Sequence, residues 1–319
     1  MSPETASAEW GDNLWARWPA ARPALGVRAE FKTEPEDFRV TELAEPEADA
    51  DGEHLYLLLE KRNLTTTAVA ASLARSLAVG QGAIGYAGMK DKRAVTRQWF
   101  SVPAAAAADF RLAPAEEPDT AVAELARLRG RRKLRRGAHA GNAFEIRLRS
   151  PAGAGLDALE SRLGEIAASG APNYFGAQRF GADNLPRAIA WLPRRRRERD
   201  AFRRGLHLSV LRSFLFNTVL AARITADDWS LADASGPLWG RGRPQPDADR
   251  EALEAEAVAP FTEIREALEH AGLSQERRPL VLRPQDFEWT WDGADLCLAF
   301  TLLPGGYATS VLRELLDVE

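Results

Sequence analysis

The stretch Gly85-Tyr-Ala-Gly-Met-Lys-Asp-Lys-Arg-Ala-Val-Thr-Arg-Gln-Trp-Phe100 decides how the rest of the chain is read. Glycines open it, where the backbone can bend tightly and let another group approach. Asp91 then stands among Lys90, Lys92 and Arg93, and Gln98 to Val102 follows as a strand. Two readings are open on these residues alone. One is a solvated charged turn, since most surface charge pairs carry no function. The other is a loop-borne carboxylate, kept ionised by nearby cations and able to act as a nucleophile or base. A phosphate loop is excluded, because that pattern needs Ser or Thr directly after the lysine, and here Asp91 follows Lys90.

Outward from this loop the chain alternates between strand and helix patterns. Phe38 to Leu43 reads as a strand after the turn-forming Glu34-Pro-Glu-Asp37, and His54 to Glu60 as a second, more buried one. Asn63 to Thr66 offers caps for a helix from Ala68 to Leu77, with Gly80 suited to its C′ position. Ala104 to Asp119 is a surface excursion. Phe144, Ile146 and Leu148 share one face of a strand over Ala143 to Arg149, and Leu156 to Ala168 is an amphipathic helix ending near Gly170. The next hundred residues read as helical: Leu185 to Trp191, Leu208 to Arg223 and Arg250 to Ala271, with Gly236 to Pro246 as loop. Strands return at Phe287 to Asp292 and Leu296 to Leu303, and Ser310 to Leu316 closes as a short helix. Strands flanking a helical middle suggest an insertion into one α/β domain, and 319 residues suffice for two domains. No internal repeat is visible.

Composition is that of an ordinary globular chain, 45% hydrophobic and 28% charged. No apolar run is read as long enough to span a bilayer. The first eighteen residues hold acids and tryptophans in place of a signal sequence. A cytoplasmic location without a membrane partner is the expectation. The single cysteine, Cys297, lies in a strand pattern and reads as a small core residue, with no disulfide possible. His54, His139, His207 and His270 are scattered without metal-ligand spacing, and no Cys/His cluster fits a zinc deaminase. Net charge is −4, but its distribution is uneven. Basic residues crowd Arg127 to Arg136 and again Arg194 to Arg197 with Arg199, Arg203 and Arg204, while acids concentrate between Glu34 and Glu53 and between Asp247 and Glu256. Either basic run alone reads equally as a solvated helix face; the two together on an acidic protein point to a polyanion such as RNA.

Six uncommon strings carry a resemblance. They are Glu34-Pro-Glu-Asp-Phe38, the opening loop through Gln98, Lys133-Leu-Arg-Arg-Gly-Ala-His-Ala-Gly-Asn-Ala-Phe144, Pro172-Asn-Tyr-Phe-Gly-Ala-Gln-Arg-Phe-Gly181, Arg212-Ser-Phe-Leu-Phe-Asn217 and Leu303-Pro-Gly-Gly-Tyr-Ala-Thr-Ser-Val-Leu-Arg-Glu314. In order and over nearly the whole chain, they resemble the TruD family of tRNA pseudouridine synthases. The resemblance implies an α/β (α+β) protein. Its catalytic domain, residues 1–169 and 279–319, would hold a mixed, largely antiparallel sheet, and a mostly helical domain, residues 170–278, would be inserted.

The implied activity is isomerisation of uridine to pseudouridine, at position 13 of tRNA, with no cofactor and no metal, by a monomer whose partner is tRNA. A tRNA-binding or RNA-folding protein of the same fold, with catalysis secondary, is the alternative. The family's aspartate falls on Asp91, and Lys32 on a basic position that would pair with it. Phe38, Asn142, Phe144 and Tyr307 fall on substrate positions: the rings would stack on an extruded base, although the strand alternation of Phe144 equally fits plain core, and Asn142 would read a uracil edge. Tyr307 departs from relatives that carry Phe. Arg131, Arg132, Lys133, Arg135 and Arg136 would hold the RNA backbone.

Overall fold

The computed structural model describes residues 14–107, 110–115, 117–181, 184–192, 200–231, 233–242 and 248–318. Their packing separates two compact units. One comprises Gly26–Asp157, Pro284–Gly305 and Asp317–Glu319; the other comprises Met1–Leu25, Ala158–Arg283 and Gly306–Leu316. These boundaries differ from the expected 169/170 and 278/279. The helices Leu159–Ser169 and Ala308–Leu315 both fall in the second unit, where Arg162 donates to the Glu314 carbonyl at 2.8 Å.

The first unit is a ten-stranded sheet. Its strands are β1 (Val27–Phe31), β2 (Phe38–Leu43), β3 (His54–Arg62), β4 (Gly85–Tyr86), β5 (Val95–Pro103), β6 (Ala121–Gly130), β7 (Gly141–Gly153), β8 (Gln285–Asp292), β9 (Asp295–Leu302) and β10 (Asp317–Val318). The main order is β8-β9-β7-β2-β5-β3-β6, with β1 on β7 and β10, and β4 on β5. Only β2–β5 and β1–β10 run parallel, so the sheet is mixed and largely antiparallel. The long β7 carries β1 and β2 end to end on one side: Phe38 to Leu43 face Ile146 to Gly141, and Val27 to Phe31 face Gly153 to Leu148. Residues 32–37 bridge the two strands.

Strand alternation sets the core. Phe38 and Val40 are buried on β2, Leu57 and Leu59 on β3, and Phe144, Ile146 and Leu148 on β7. Helix α1 (Thr66–Ser76) covers part of the sheet with Val69, Ala70, Leu73 and Ala74. Thr65 caps it, its hydroxyl accepting from the Ala68 amide at 3.0 Å, a contact worth about 1 kcal/mol. The left-handed residue after this helix is Ala78 (φ 53°), not Gly80, whose φ is −65°. The basic run Arg127 to Arg136 is not a helix face. It is the end of β6 and the loop that follows.

The second unit holds α2 (Leu159–Ser169), α3 (Asn184–Trp191), α4 (Ala201–Thr225), α5 (Ala248–Val258), α6 (Thr262–Glu269) and α7 (Ala308–Leu315). The single helix expected over Arg250 to Ala271 is two, because Pro260 cannot supply a helical amide. The expected loop from Gly236 begins instead as a strand, Ser235–Leu238, antiparallel to Glu276–Pro279. By length and composition Arg203–Thr225 of α4 could cross a membrane, against the sequence reading. Here it is a core helix: Val210, Leu211, Phe214, Leu215, Phe216, Val219 and Leu220 are all buried in the unit's main apolar cluster.

Candidate active site

The loop between β4 and β5 carries Asp91 and is tied down from several directions. Gly85 lets it start, since a Cβ there would lie 2.3 Å from Ser101 Oγ and 2.6 Å from the Leu134 carbonyl. The Ala87 carbonyl accepts from the Gly137 amide at 2.8 Å, and the Gly88 carbonyl from Gln98 Nε2 at 3.1 Å. The Thr66 hydroxyl accepts from the Lys90 amide at 2.9 Å and donates to Gln98 Oε1 at 2.7 Å. Lys61 donates to the Asp91 carbonyl at 2.8 Å, and Arg93 to the Thr33 carbonyl at 3.0 Å. Irregular backbone stays ordered when its polar groups are matched in this way.

Lys90, the neighbour of Asp91 in the chain, is not its partner. Lys90 turns inward and meets Glu42 at 2.9 Å with both side chains buried, and Glu42 also accepts from the Trp99 amide at 3.4 Å. Lys32 supplies the charge at the Asp91 carboxylate, 3.5 Å from Oδ2. The Asp91 side chain is 30% exposed and Lys32 15%. Lys32 sits just past β1 in left-handed backbone, φ 57°, a strained conformation for a residue with a Cβ. Its ammonium lies 4.0 Å from the centroid of the Phe38 ring and 5.1 Å from that of Phe31. Burial pushes this ammonium below its ordinary value, while Asp91 pulls it up. The Glu34-Pro-Glu-Asp-Phe38 string builds the turn that places it. Pro35–Asp37 is one turn of 3₁₀ helix, the Asp37 carboxylate accepts from the Glu34 amide at 2.8 Å, and Arg149 holds it at 2.8 and 2.9 Å. Burial raises the Asp37 carboxyl, but Arg149 and the Glu34 amide outweigh that and hold it below its ordinary value.

Five of the six residues expected to act on or contact the uridine therefore share the sheet unit: Asp91, Lys32, Phe38, Asn142 and Phe144. Asn142 stands opposite Glu42 in the β2–β7 register, and its Oδ1 is buried without a hydrogen-bond partner. Phe38 (2% exposed) and Phe144 (7%) are packed 6.0 Å apart in a run of rings that continues to Phe300 at 5.5 Å. That is the arrangement of a core, and neither ring offers an open face. Tyr307 belongs to the other unit, where it packs 6.1 Å from Phe175. Arg278 lies 4.2 Å over the Phe175 ring, and burial lowers its guanidinium to about 10.

The basic loop is partly occupied by the protein's own acceptors. Arg131 pairs with Asp49, and Lys133 donates to the Gly82 carbonyl, so an acidic and a basic run separated in sequence meet in the fold. Arg136 stands 5.9 Å from the Tyr86 ring, and Arg132 and Arg135 are exposed. Of the second basic cluster, Arg194 to Arg197 and Arg199 lie outside the described residues. Arg203 and Arg204 begin α4, near Asp200 (3.5 Å) and the Ala271 carbonyl (3.2 Å).

A model of the tRNA pseudouridine synthase D (TruD) family matches residues 22–190. A tRNA pseudouridine synthase D from Cellvibrio japonicus is 44% identical, covering 94% of this chain and 93% of its own length; one from Marinobacter nauticus is 40% identical, covering 97% of each. The chain belongs to the tRNA pseudouridine synthase D family. The fold agrees. A crystal structure from Methanosarcina mazei assigned to tRNA pseudouridine synthase D superposes with a TM-score of 0.63 over 93% of this chain and 95% of that one, at 20% identity.

Sequence reasoning missed Glu42 and Lys61. Both carried a signal. Glu42 follows Phe38 and Val40, and Lys61 follows Leu57 and Leu59, at the two-residue spacing that sends side chains to one face. A charge on the inward register needs a partner there.

Proposed function

We infer that this protein isomerises uridine to pseudouridine in tRNA, at position 13. The carrying observation is the Asp91 carboxylate, partly exposed on a loop fixed from several sides and faced by the Lys32 ammonium at 3.5 Å, in a chain of the tRNA pseudouridine synthase D family. The uracil leaves ribose C1′ at N1, turns, and returns through C5. The C5 proton is lost and N1 gains one, so no redox step and no group donor enter.

Asp91 is the nucleophile or base of this sequence. Its carboxylate can add to C1′, add to the uracil ring or take a ribose proton, and glycosidic cleavage elsewhere also runs on carboxylates. Lys32 balances its charge. Asn142 Oδ1, buried without a partner, accepts from the uracil imide. Phe38 and Phe144 support the site as packed rings, and the 131–136 loop meets the RNA backbone.

The test replaces Asp91 with Asn. Pseudouridine formation is lost and tRNA affinity stays within about twofold, because a side-chain amide keeps the shape and removes the nucleophile. Undiminished turnover in Asp91→Asn overturns the assignment, as does unchanged pseudouridine at position 13 in tRNA from cells lacking the protein.

A further inference from the structure

Lys61 is among the largest fully buried side chains of the protein, at 1% exposure. It lies one residue from the end of β3, and its ammonium makes two hydrogen bonds to main-chain carbonyls: Leu64 at 2.5 Å, in the turn into α1, and Asp91 at 2.8 Å. The groups bearing on it electrostatically are the Asp91 carboxylate, itself faced by Lys32, and the Lys90 ammonium, itself held by Glu42. Burying an ammonium is costly unless its donors are used. Tying a turn to a loop does not require a charge, since a neutral donor bonds a carbonyl as well. A retained charge beside Asp91 has a further use: it fixes the peptide that carries the carboxylate through charge-assisted hydrogen bonds, the stronger kind.

We propose that Lys61 is a positioning residue for the isomerisation, its ammonium bolting the Asp91 peptide to the β3–α1 turn and thereby setting where the carboxylate stands. The proposal rests on the reading of Asp91 given above. Burial lowers the ammonium to about 8, with Asp91 raising it and Lys90 lowering it further. Losing the proton weakens both carbonyl bonds, so the chemical step slows on the alkaline side.

The experiment measures single-turnover pseudouridine formation at saturating tRNA from about pH 6.5 to about pH 9.5, with tRNA affinity and thermal melting in parallel. Wild type, Lys61→Met, Lys61→Arg and Asp91→Asn are compared. Lys61→Met is expected to lower the rate on the order of a hundredfold, the scale of a small misplacement at a reacting centre. Its tRNA affinity stays within about twofold, because Lys61 touches no RNA. Lys61→Arg recovers most of the rate and lacks the wild-type alkaline decline. Lys61→Met within about threefold of wild type overturns the proposal, and so does a rate loss matched by losses in affinity and melting temperature. If Lys61→Met does not fold, the wild-type profile decides: a flat rate through the alkaline range overturns the proposal, and a decline absent from Lys61→Arg upholds it. Activity in Asp91→Asn breaks the functional reading itself, which the Lys61 variants do not test.

Discussion

Lys90 and Asp91 are consecutive in the chain and meet opposite surroundings. Lys90 points into the sheet, where Glu42 holds it at 2.9 Å and both side chains are buried. Asp91 points outward, 30% exposed, with Lys32 at a looser 3.5 Å. The inner pair is a fixture: two charges removed from water hold each other because neither has another partner of that strength. The outer pair is looser, since water reaches its Asp91 end. The difference shows how one loop presents a reactive carboxylate without wandering. The anchoring charges are spent below it, and the reacting charge is left above. If that division holds, breaking the Lys90–Glu42 pair should cost stability and breaking the Lys32–Asp91 pair should cost rate.

The largest expected effect is on the inner side. Lys90→Met leaves the buried Glu42 without its cation and should destabilise the fold by about 3–5 kcal/mol in denaturant melts. Adding Glu42→Leu removes the stranded charge and should return stability to within about 1 kcal/mol of wild type. Activity should not return with it, because the bridge from the loop to the Trp99 amide is gone. A double variant recovering both would mean that the loop needs no anchor there.

Lys61 sharpens the comparison through pH. Its ordinary value is 10.5 and its folded value about 8. Between those values the unfolded chain holds the proton and the folded protein has released it. Stability therefore rises with pH across that window, by up to about 3 kcal/mol. Urea melts of wild type and Lys61→Met should differ most below about pH 8 and converge as pH rises toward 10.5. The outer pair behaves otherwise. Lys32→Ala should change stability by less than about 1 kcal/mol, yet lower the single-turnover rate on the order of a hundredfold as the charge facing Asp91 is lost.

How much of this was legible in the sequence follows the same division. Strands β2 and β7 show in their alternation, because one face of each is apolar, whereas β3 shows as a near-continuous apolar run and β5 only over Gln98 to Val102, buried on both faces. Strand β6 does not, since its arginines at 127 and 129 read as part of a basic cluster and its inward positions are not uniformly apolar. Pro260 marked the break between α5 and α6 but was outweighed by the helical pattern on both sides. In the site, Asp91 stood out because charge crowds it in sequence. Two cations near it are distant in the chain: Lys32 reaches it through left-handed backbone at φ 57°, and Lys61 through the β3–β5 pairing. Sequence neighbours misled in the same measure, for Lys90 belongs to Glu42.

The smallest expected effect extends the comparison to the basic loop, where paired and open cations again alternate. Arg131 is held by Asp49 and Lys133 by the Gly82 carbonyl, while Arg132 and Arg135 are exposed. A phosphate-bound cation releases counterions from RNA, so removing it lowers the slope of log affinity against log salt by about one. Arg132→Ala and Arg135→Ala should each lower the slope by that amount, with affinity falling similarly for every tRNA tested. Arg131→Ala and Lys133→Ala should lower it less, because these side chains must leave a protein acceptor before they reach a phosphate. Equal slopes for all four would show that the protein contacts yield entirely when RNA arrives. The Arg131–Asp49 pair would then be a resting place for the cation, and the contrast between paired and open charges would hold only around Asp91.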